Sequence, residues 1–255
     1  MPFGRRLALT AILLVGWCGG AGRAAEPGLK PFVAVYALKW HAFTAGHSTV
    51  TLRQTGPQTY EYRSVNHARG LFRLAFPDAI VETSRFSIVD GRVRPLSYEE
   101  VNGPNRSDRD VKIEFDWQNG RAHGVEHGKP VDQPLASGTQ DPLSVQIELM
   151  RELEAGGHPT RFLLFDQNVA KRFHYTLERT VRIDTALGPL DTVVYRSERP
   201  GAERVLRLWL APRLGYLPVK AERERKGRIE FRLYILRLTR AAEPPAPPAP
   251  ASGLR

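Results

Sequence analysis

From Pro31 onward, apolar and polar residues alternate along most of the chain. A period of two places every second side chain on the same face of an extended backbone, so the pattern predicts half-buried β-strands. The clearest case is DVKIEFDW, where Val111, Ile113, Phe115 and Trp117 alternate with Lys112, Glu114 and Asp116. Upstream, strands are expected at FVAVYALKW, HSTVTLRQT, TYEYRSVNH, IVETSRFSIV and RVRPLSYEEV, with HAFTAG as a break between the first two. Downstream, TRFLLFD, RFHYTLERTVRID, LDTVVYRS, ERVLRLWLA, LPVKAERER and RIEFRLYILRL continue the pattern. Asp90-Gly91 and Asn119-Gly120 lie between alternating runs and predict hairpin turns, because both turn positions need positive φ. About a dozen strands with short connections predict antiparallel neighbours in a meander. The missing strand–helix–strand rhythm excludes doubly wound and TIM-type folds.

One stretch breaks the alternation. In GTQDPLSVQIEL and beyond, Leu143, Ile147 and Met150 fall at i, i+4 and i+7, with Leu149 and Leu153 widening the stripe. Gln146, Arg151, Glu152 and Glu154 stay polar, and Gly156-Gly157 ends the run. The spacing predicts an amphipathic helix at about 142–155, with Asp141 accepting backbone N–H bonds as N-cap and Pro142 at the first helical position. Asp141 and Ser144 also have the composition of an acid and a nucleophile. A catalytic serine needs an adjacent base and oxyanion donors, yet no G-x-S-x-G elbow and no histidine pairs with Ser144 in sequence. Capping explains the motif more simply. The fold class expected is mainly β: a strongly curved antiparallel sheet, an open or half barrel, with this one main helix.

Composition then narrows the setting. Residues 1–25 carry Arg5 and Arg6, an apolar run Leu7–Val15 and a small-residue stretch with a cleavage point near Ala24 or Ala25, which is the pattern of an export signal. The apolar run is far shorter than the roughly 20 residues of a membrane span, so no transmembrane span is expected in the mature chain. Cys18, the single cysteine, lies inside this signal; Trp17 before it disfavours lipidation, and without it the mature chain has no thiol chemistry. The Pro/Ala-rich 241–255 segment cannot bury enough surface to order and reads as a disordered tail. A single β-rich domain at 30–239 is left, placed in the periplasm. Losing Arg5, Arg6 and Arg23 with the signal lowers the formal charge from +10 by three, to +7. The chain remains basic, but its charges mix in sign along predicted strands, so an anionic envelope partner is expected and nucleic acid is not.

Candidate chemistry is sparse. His123 and His127 would lie on one strand face, roughly 13 Å apart, too far to share a metal. His41 and His47 flank a turn without a nearby carboxylate, so no metal or other cofactor is expected. Trp40, Phe72, Phe76, Trp209 and Tyr216 are candidate ligand-cavity residues; the alternative is that such aromatics fill the core. ARGLFRLAFPDAIV crowds Leu71, Phe72, Leu74 and Phe76 between Gly70 and Pro77, as either an apolar flap over an opening or a loop anchored in the core. P-loop, dinucleotide, zincin and EF-hand motifs are absent, while a scattered pair of glycosidase carboxylates would leave no local signature.

The order VYALKW…AGHSTVTL, SRFSIVDGRVRPLSYEE, KIEFDW, GTQDPLSVQIEL and LRLWLAPRLGYLPVKAE resembles bacterial domain-of-unknown-function family 3108, from about Phe32 to Leu238. Its most specific pieces are Thr139–Ser144 and the Leu208–Val219 hairpin, and the resemblance implies no activity. The closing hairpin is more loosely similar to periplasmic lipoprotein-carrier half-barrels. That similarity implies a curved sheet wrapping helices around an apolar cavity for acyl chains, though this chain offers one helix rather than several. The function expected first is non-catalytic: binding a lipid or other apolar or amphipathic envelope ligand, or aiding envelope assembly. Second comes a scaffold for an envelope protein or cell-wall polymer, and third a hydrolase of envelope polysaccharide or ester.

Overall fold

The computed structural model describes residues 29–41, 43–166 and 168–240. The signal-like segment 1–25 with Cys18, and the 241–255 tail, lie outside the described residues. The first half of the chain is an eight-strand meander: β1 (Phe32–Trp40), β2 (Phe43–Gly56), β3 (Thr59–Ala68), β4 (Ile80–Val89), β5 (Arg92–Val101), β6 (Val111–Asp116), β7 (Arg121–Glu126) and β8 (Lys129–Pro134). A four-residue helix, α1 (Phe72–Ala75), interrupts the β3–β4 connection. The second half starts at β9 (Thr139–Gln140) and passes through helix α2 (Ser144–Glu154). It returns as β10 (Arg161–Asp166), β11 (Val169–Thr185), β12 (Gly188–Glu198), β13 (Arg204–Ala211), β14 (Leu217–Arg225) and β15 (Arg228–Arg240).

All fifteen strands form one sheet, ordered β8 to β1 and then β15 down to β9. The first and last strands therefore pair in its middle, Phe32 opposite Arg240. Each pairing is antiparallel except β9 with β10. Extra residues in β2, β5, β11, β14 and β15, each facing a register shift, add local twist and bend the sheet. The sheet remains open, with β8 and β9 as its edges. Its ends nevertheless approach: the Phe115 and Phe165 rings meet edge-on at 5.8 Å, and the Asn168 N–H donates to the Glu126 carboxylate at 2.7 Å. Pro130 and Pro134 in β8 and the two-residue length of β9 blunt both edges against further pairing.

The mainly β, curved and open architecture matches the period-two reading, and several details differ from it. HAFTAG is strand rather than break from Phe43 on, because the turn at His41 is tight and Trp40 pairs directly with Phe43. Gly46 permits this path: a Cβ there would lie 2.2 Å from the His67 carbonyl oxygen. The β6 strand stops at Asp116, and the Trp117 indole donates instead to the Pro95 carbonyl at 2.6 Å. The segment KPVDQP is a strand that its prolines concealed. His127 sits in a turn at φ 51°, so it does not share a strand with His123.

Helix α2 begins at Ser144, two residues later than the spacing implies, with Pro142 and Leu143 in the preceding turn. It is buried on two sides. Ile147 and Met150 join the cluster of Tyr36, Tyr62 and Phe86 under β1–β4, and Val145, Leu149 and Leu153 join that of Tyr195, Leu208 and Leu210 under β12 and β13. The helix thus wedges between the two meanders inside the curl. Truncating Ile147 leaves a cavity at this junction, so Ile147→Ala lowers the unfolding free energy by about 3 kcal/mol in chemical denaturation. Substituting the exposed Glu154 by Ala changes it by less than about 0.5 kcal/mol.

Candidate functional site: a cavity between the meanders

The Asp141 carboxylate fixes where the helix sits. One of its oxygens accepts the N–H groups of Leu143 and Ser144 at 2.8 Å each, while Ser144 Oγ accepts the Asp141 N–H at 2.9 Å. This reciprocal pattern is a capping box with serine in the usual Glu/Gln position. The other carboxylate oxygen accepts the Ser84 hydroxyl on β4 at 2.6 Å. Further along, Glu148 accepts the Val93 N–H on β5 at 2.7 Å and an Arg92 contact at 3.4 Å. The helix therefore runs from mid-β4 to the β4–β5 turn, where Arg151 donates to the Gly91 carbonyl. Asp141 and Ser144 are fully buried, and their side chains are spent on capping and on Ser84.

Beyond the start of the helix, the curl holds a cavity of about 1580 Å³, larger than the ~300–1,000 Å³ usual for small-molecule sites. Its walls differ in character. On the β13–β15 side, Leu206, Leu208, Ala221, Leu233, Phe231 and Ile229 supply apolar lining, while Arg223, level with Leu206 and Phe231, pairs with Glu230 at 2.9 Å, and Arg225, Lys226 and Arg228 follow at the mouth. On the opposite side, the inward positions of each strand change from apolar to polar towards the mouth. In β2 the order is Leu52, Val50, Ser48; in β3 it is Tyr60, Tyr62, Ser64, Asn66; in β4 it is Ile88, Phe86, Ser84, Glu82. These polar ends are linked side by side. Asn66 donates to Ser64 at 3.2 Å and to Glu82 at 3.5 Å, and Tyr98 donates to Glu82 at 3.1 Å and contacts Glu100 at 3.4 Å. Asn102 completes the row by donating to Glu100 at 3.0 Å.

The row carries an electrostatic penalty. Burial pushes the Glu82 carboxyl up to about 7, and Glu100, directly opposite across the β4–β5 pair, adds to the rise against the Tyr98 and Asn66 hydrogen bonds. Burial likewise raises Asp141 to about 6, outweighing its bonds from Ser84, Ser144 and Leu143. Among the described residues, no group of three or more His, Cys, Asp or Glu side chains is placed to hold a metal ion.

Three of the five aromatic candidates line the cavity: Trp40, Phe72 and Phe76, all at its mouth. Trp209 and Tyr216 do not. Trp209 follows Leu208 in the strand and so points to the other face, buried with the Lys220 ammonium 4.0 Å from its ring centre. Tyr216 belongs to the β13–β14 turn at φ 56° and packs on the core. The residues missed were the polar ones, Ser48, Ser64, Asn66, Glu82 and Glu100. They occupy inward positions of strands whose other inward residues are apolar, and that break in periodicity was the available signal.

The family model described as protein of unknown function DUF3108 matches residues 35–232. The chain belongs to the DUF3108 family. No curated protein matches it. Among solved structures, a β-barrel-like protein of domain of unknown function DUF1849 from Brucella abortus aligns with 84% of this DUF3108 chain and 99% of its own. The TM-score is 0.52 at 15% identity, and the likeness is one of fold. MucB aligns with 84% of this chain and 55% of its own at TM-score 0.36 and 12% identity. A protein with a YmcC-like fold from Bacteroides fragilis aligns with 84% of this chain and 97% of its own at TM-score 0.35 and 10% identity. No helix among the described residues of this DUF3108 chain is long and apolar enough to cross a membrane.

The raised carboxyls set a pH dependence. An acid whose folded pKa exceeds its unfolded value binds more protons folded than unfolded in between, so stability falls as pH rises through that window. The window runs from the ordinary 4.5 to about 7 for Glu82 and from 3.8 to about 6 for Asp141. Urea unfolding of the wild type should therefore lose stability between those limits, by on the order of 1–3 kcal/mol for Glu82. In Glu82→Gln the loss is smaller, and the variant is the more stable protein above pH 7.5.

Proposed function

We propose that this protein is a non-catalytic binding protein of the bacterial envelope that holds an amphipathic ligand, an acyl chain with a polar head, between its two meanders. The observation that carries this reading is the gradient along the cavity: both walls are apolar beside the helix and turn polar towards the mouth, with charged side chains on the β14–β15 side and a hydrogen-bonded row on the β2–β5 side. An acyl chain laid against Leu208, Val50 and Leu143 buries apolar surface at about 25 cal/mol per Å². Its head then lies level with Ser64, Asn66, Glu82 and Glu100, a mainly accepting row that suits hydroxyl or ammonium donors. The export-like pattern of 1–25 supports a periplasmic setting, where a single folded domain at 30–239 would meet such ligands.

The test is native mass spectrometry on protein recovered from an exporting bacterial host, next to the double variant Val50→Trp/Leu208→Trp. Both side chains line the cavity, so the two indoles fill the acyl path. The expected result is a co-purifying species of lipid mass on the wild type, at least about tenfold depleted in the variant, with unchanged circular dichroism in both. Wild-type protein carrying no such species, or a variant that retains it fully, contradicts the reading.

A further inference from the structure

The cavity mouth has an apolar lip that no other described residue covers. Leu71 and Leu74, on either side of Phe72 in the α1 segment, are 83% and 85% exposed. Beside them stand Phe43 at 65% and Trp40 at 47%. Trp40 pairs with Phe43 across the β1–β2 turn and meets the Phe72 ring edge-on at 5.8 Å. The sheet register brings these tips to one end of the curl: Gly46 opposes Ala68 just before the α1 segment, and Lys39 opposes Arg232, four residues into β15 from the β14–β15 turn. Large exposed apolar side chains gathered at one opening mark a docking surface rather than ordinary surface scatter.

The charges around the lip have one sign where it projects furthest. Between His67 and Pro77 the chain contains Arg69 and Arg73 and no acidic residue. Both arginines are exposed, and neither forms an ion pair among the described residues. Arg106 covers the Phe76 ring at 4.4 Å, and Arg225, Lys226 and Arg228 stand across the mouth, with Glu203 pairing Lys226 at 3.2 Å. Leucines with an adjacent tryptophan, flanked by arginines, fit a surface that is apolar a few ångströms in and anionic on top. A lipid bilayer with acidic head groups has that profile.

We propose that this lip docks on an anionic lipid bilayer, inserting Leu71 and Leu74 below the phosphates while Arg69 and Arg73 pair with them. Docking in this orientation turns the mouth towards the lipid. The proposal rests on the rim alone and stands whether or not the cavity holds a ligand.

Hydrogen–deuterium exchange of the full chain reads the lip locally, so membrane contact by other segments does not obscure it. The α1 segment is held by only a few turn-type bonds, such as Phe76 N–H to the Phe72 carbonyl at 2.9 Å, and exchanges fast when free. The expected result is slowed exchange at 69–77 on vesicles of phosphatidylglycerol and phosphatidylethanolamine, and none on phosphatidylcholine. Leu71→Asp/Leu74→Asp abolishes the effect, and Arg69→Gln/Arg73→Gln raises the lipid needed for half-protection about 30-fold. Because all four side chains are exposed, unchanged thermal melting is expected of both variants. Equal protection on phosphatidylcholine, no protection on either vesicle, or protection that survives Leu71→Asp/Leu74→Asp overturns the proposal.

Discussion

Strands β3, β4 and β5, ten residues each, make the concave face beside the helix about 33 Å deep. The helix available to fill it has eleven residues and is about 16 Å long. One such helix covers roughly half the depth of the curl, and its attachments decide which half. Asp141 binds Ser84 in the middle of β4, Glu148 binds the Val93 backbone, and Arg151 reaches Gly91 at the turn. All three contacts hold α2 at the end of the curl where β4 turns into β5. The packed core and the cavity are thus consequences of one length mismatch, resolved by a few hydrogen bonds at fixed positions.

The same geometry explains the polarity of the strands. At the helix end, inward residues meet Ile147 and Met150 and are apolar: Tyr62, Phe86, Val93. Past Ser84 no helix faces them, and the inward positions of β2–β5 become Ser48, Ser64, Asn66, Glu82 and Glu100. Holding carboxylates there disfavours the folded state once they ionise, which is why burial and the facing Glu100 raise Glu82 above its ordinary range. A residue row that opposes stability, set beside a cavity and away from the core, is better understood as serving a ligand than as serving the fold.

Period-two alternation made the strands legible because each strand has one wet face, and Asp90-Gly91 gave the β4–β5 turn directly. The helix was legible from Leu143, Ile147 and Met150, but its burial on two sides was not, since a single amphipathic stripe cannot reveal a second wall. Strand β8 was hidden by Pro130 and Pro134, residues that suit an edge and look like a loop. The mouth aromatics Trp40, Phe72 and Phe76 stood out by crowding, whereas Trp209 and Tyr216 stood out equally and pack elsewhere. Aromatic identity does not say which face of a curled sheet a residue occupies. That depends on which alternate set of each strand turns inward, and for β13 it is Leu206 and Leu208 rather than Trp209.

The central claim is that the space left by α2 is an acyl site with a defined orientation. A crystal structure of the protein soaked with a long-chain alkylamine brominated at its terminal carbon tests this most directly. The account predicts an anomalous bromine peak near Leu143, between Val50 and Leu208, with the ammonium end towards the mouth. Bromine bound only outside the curl, or a cavity filled by ordered water alone, would contradict it.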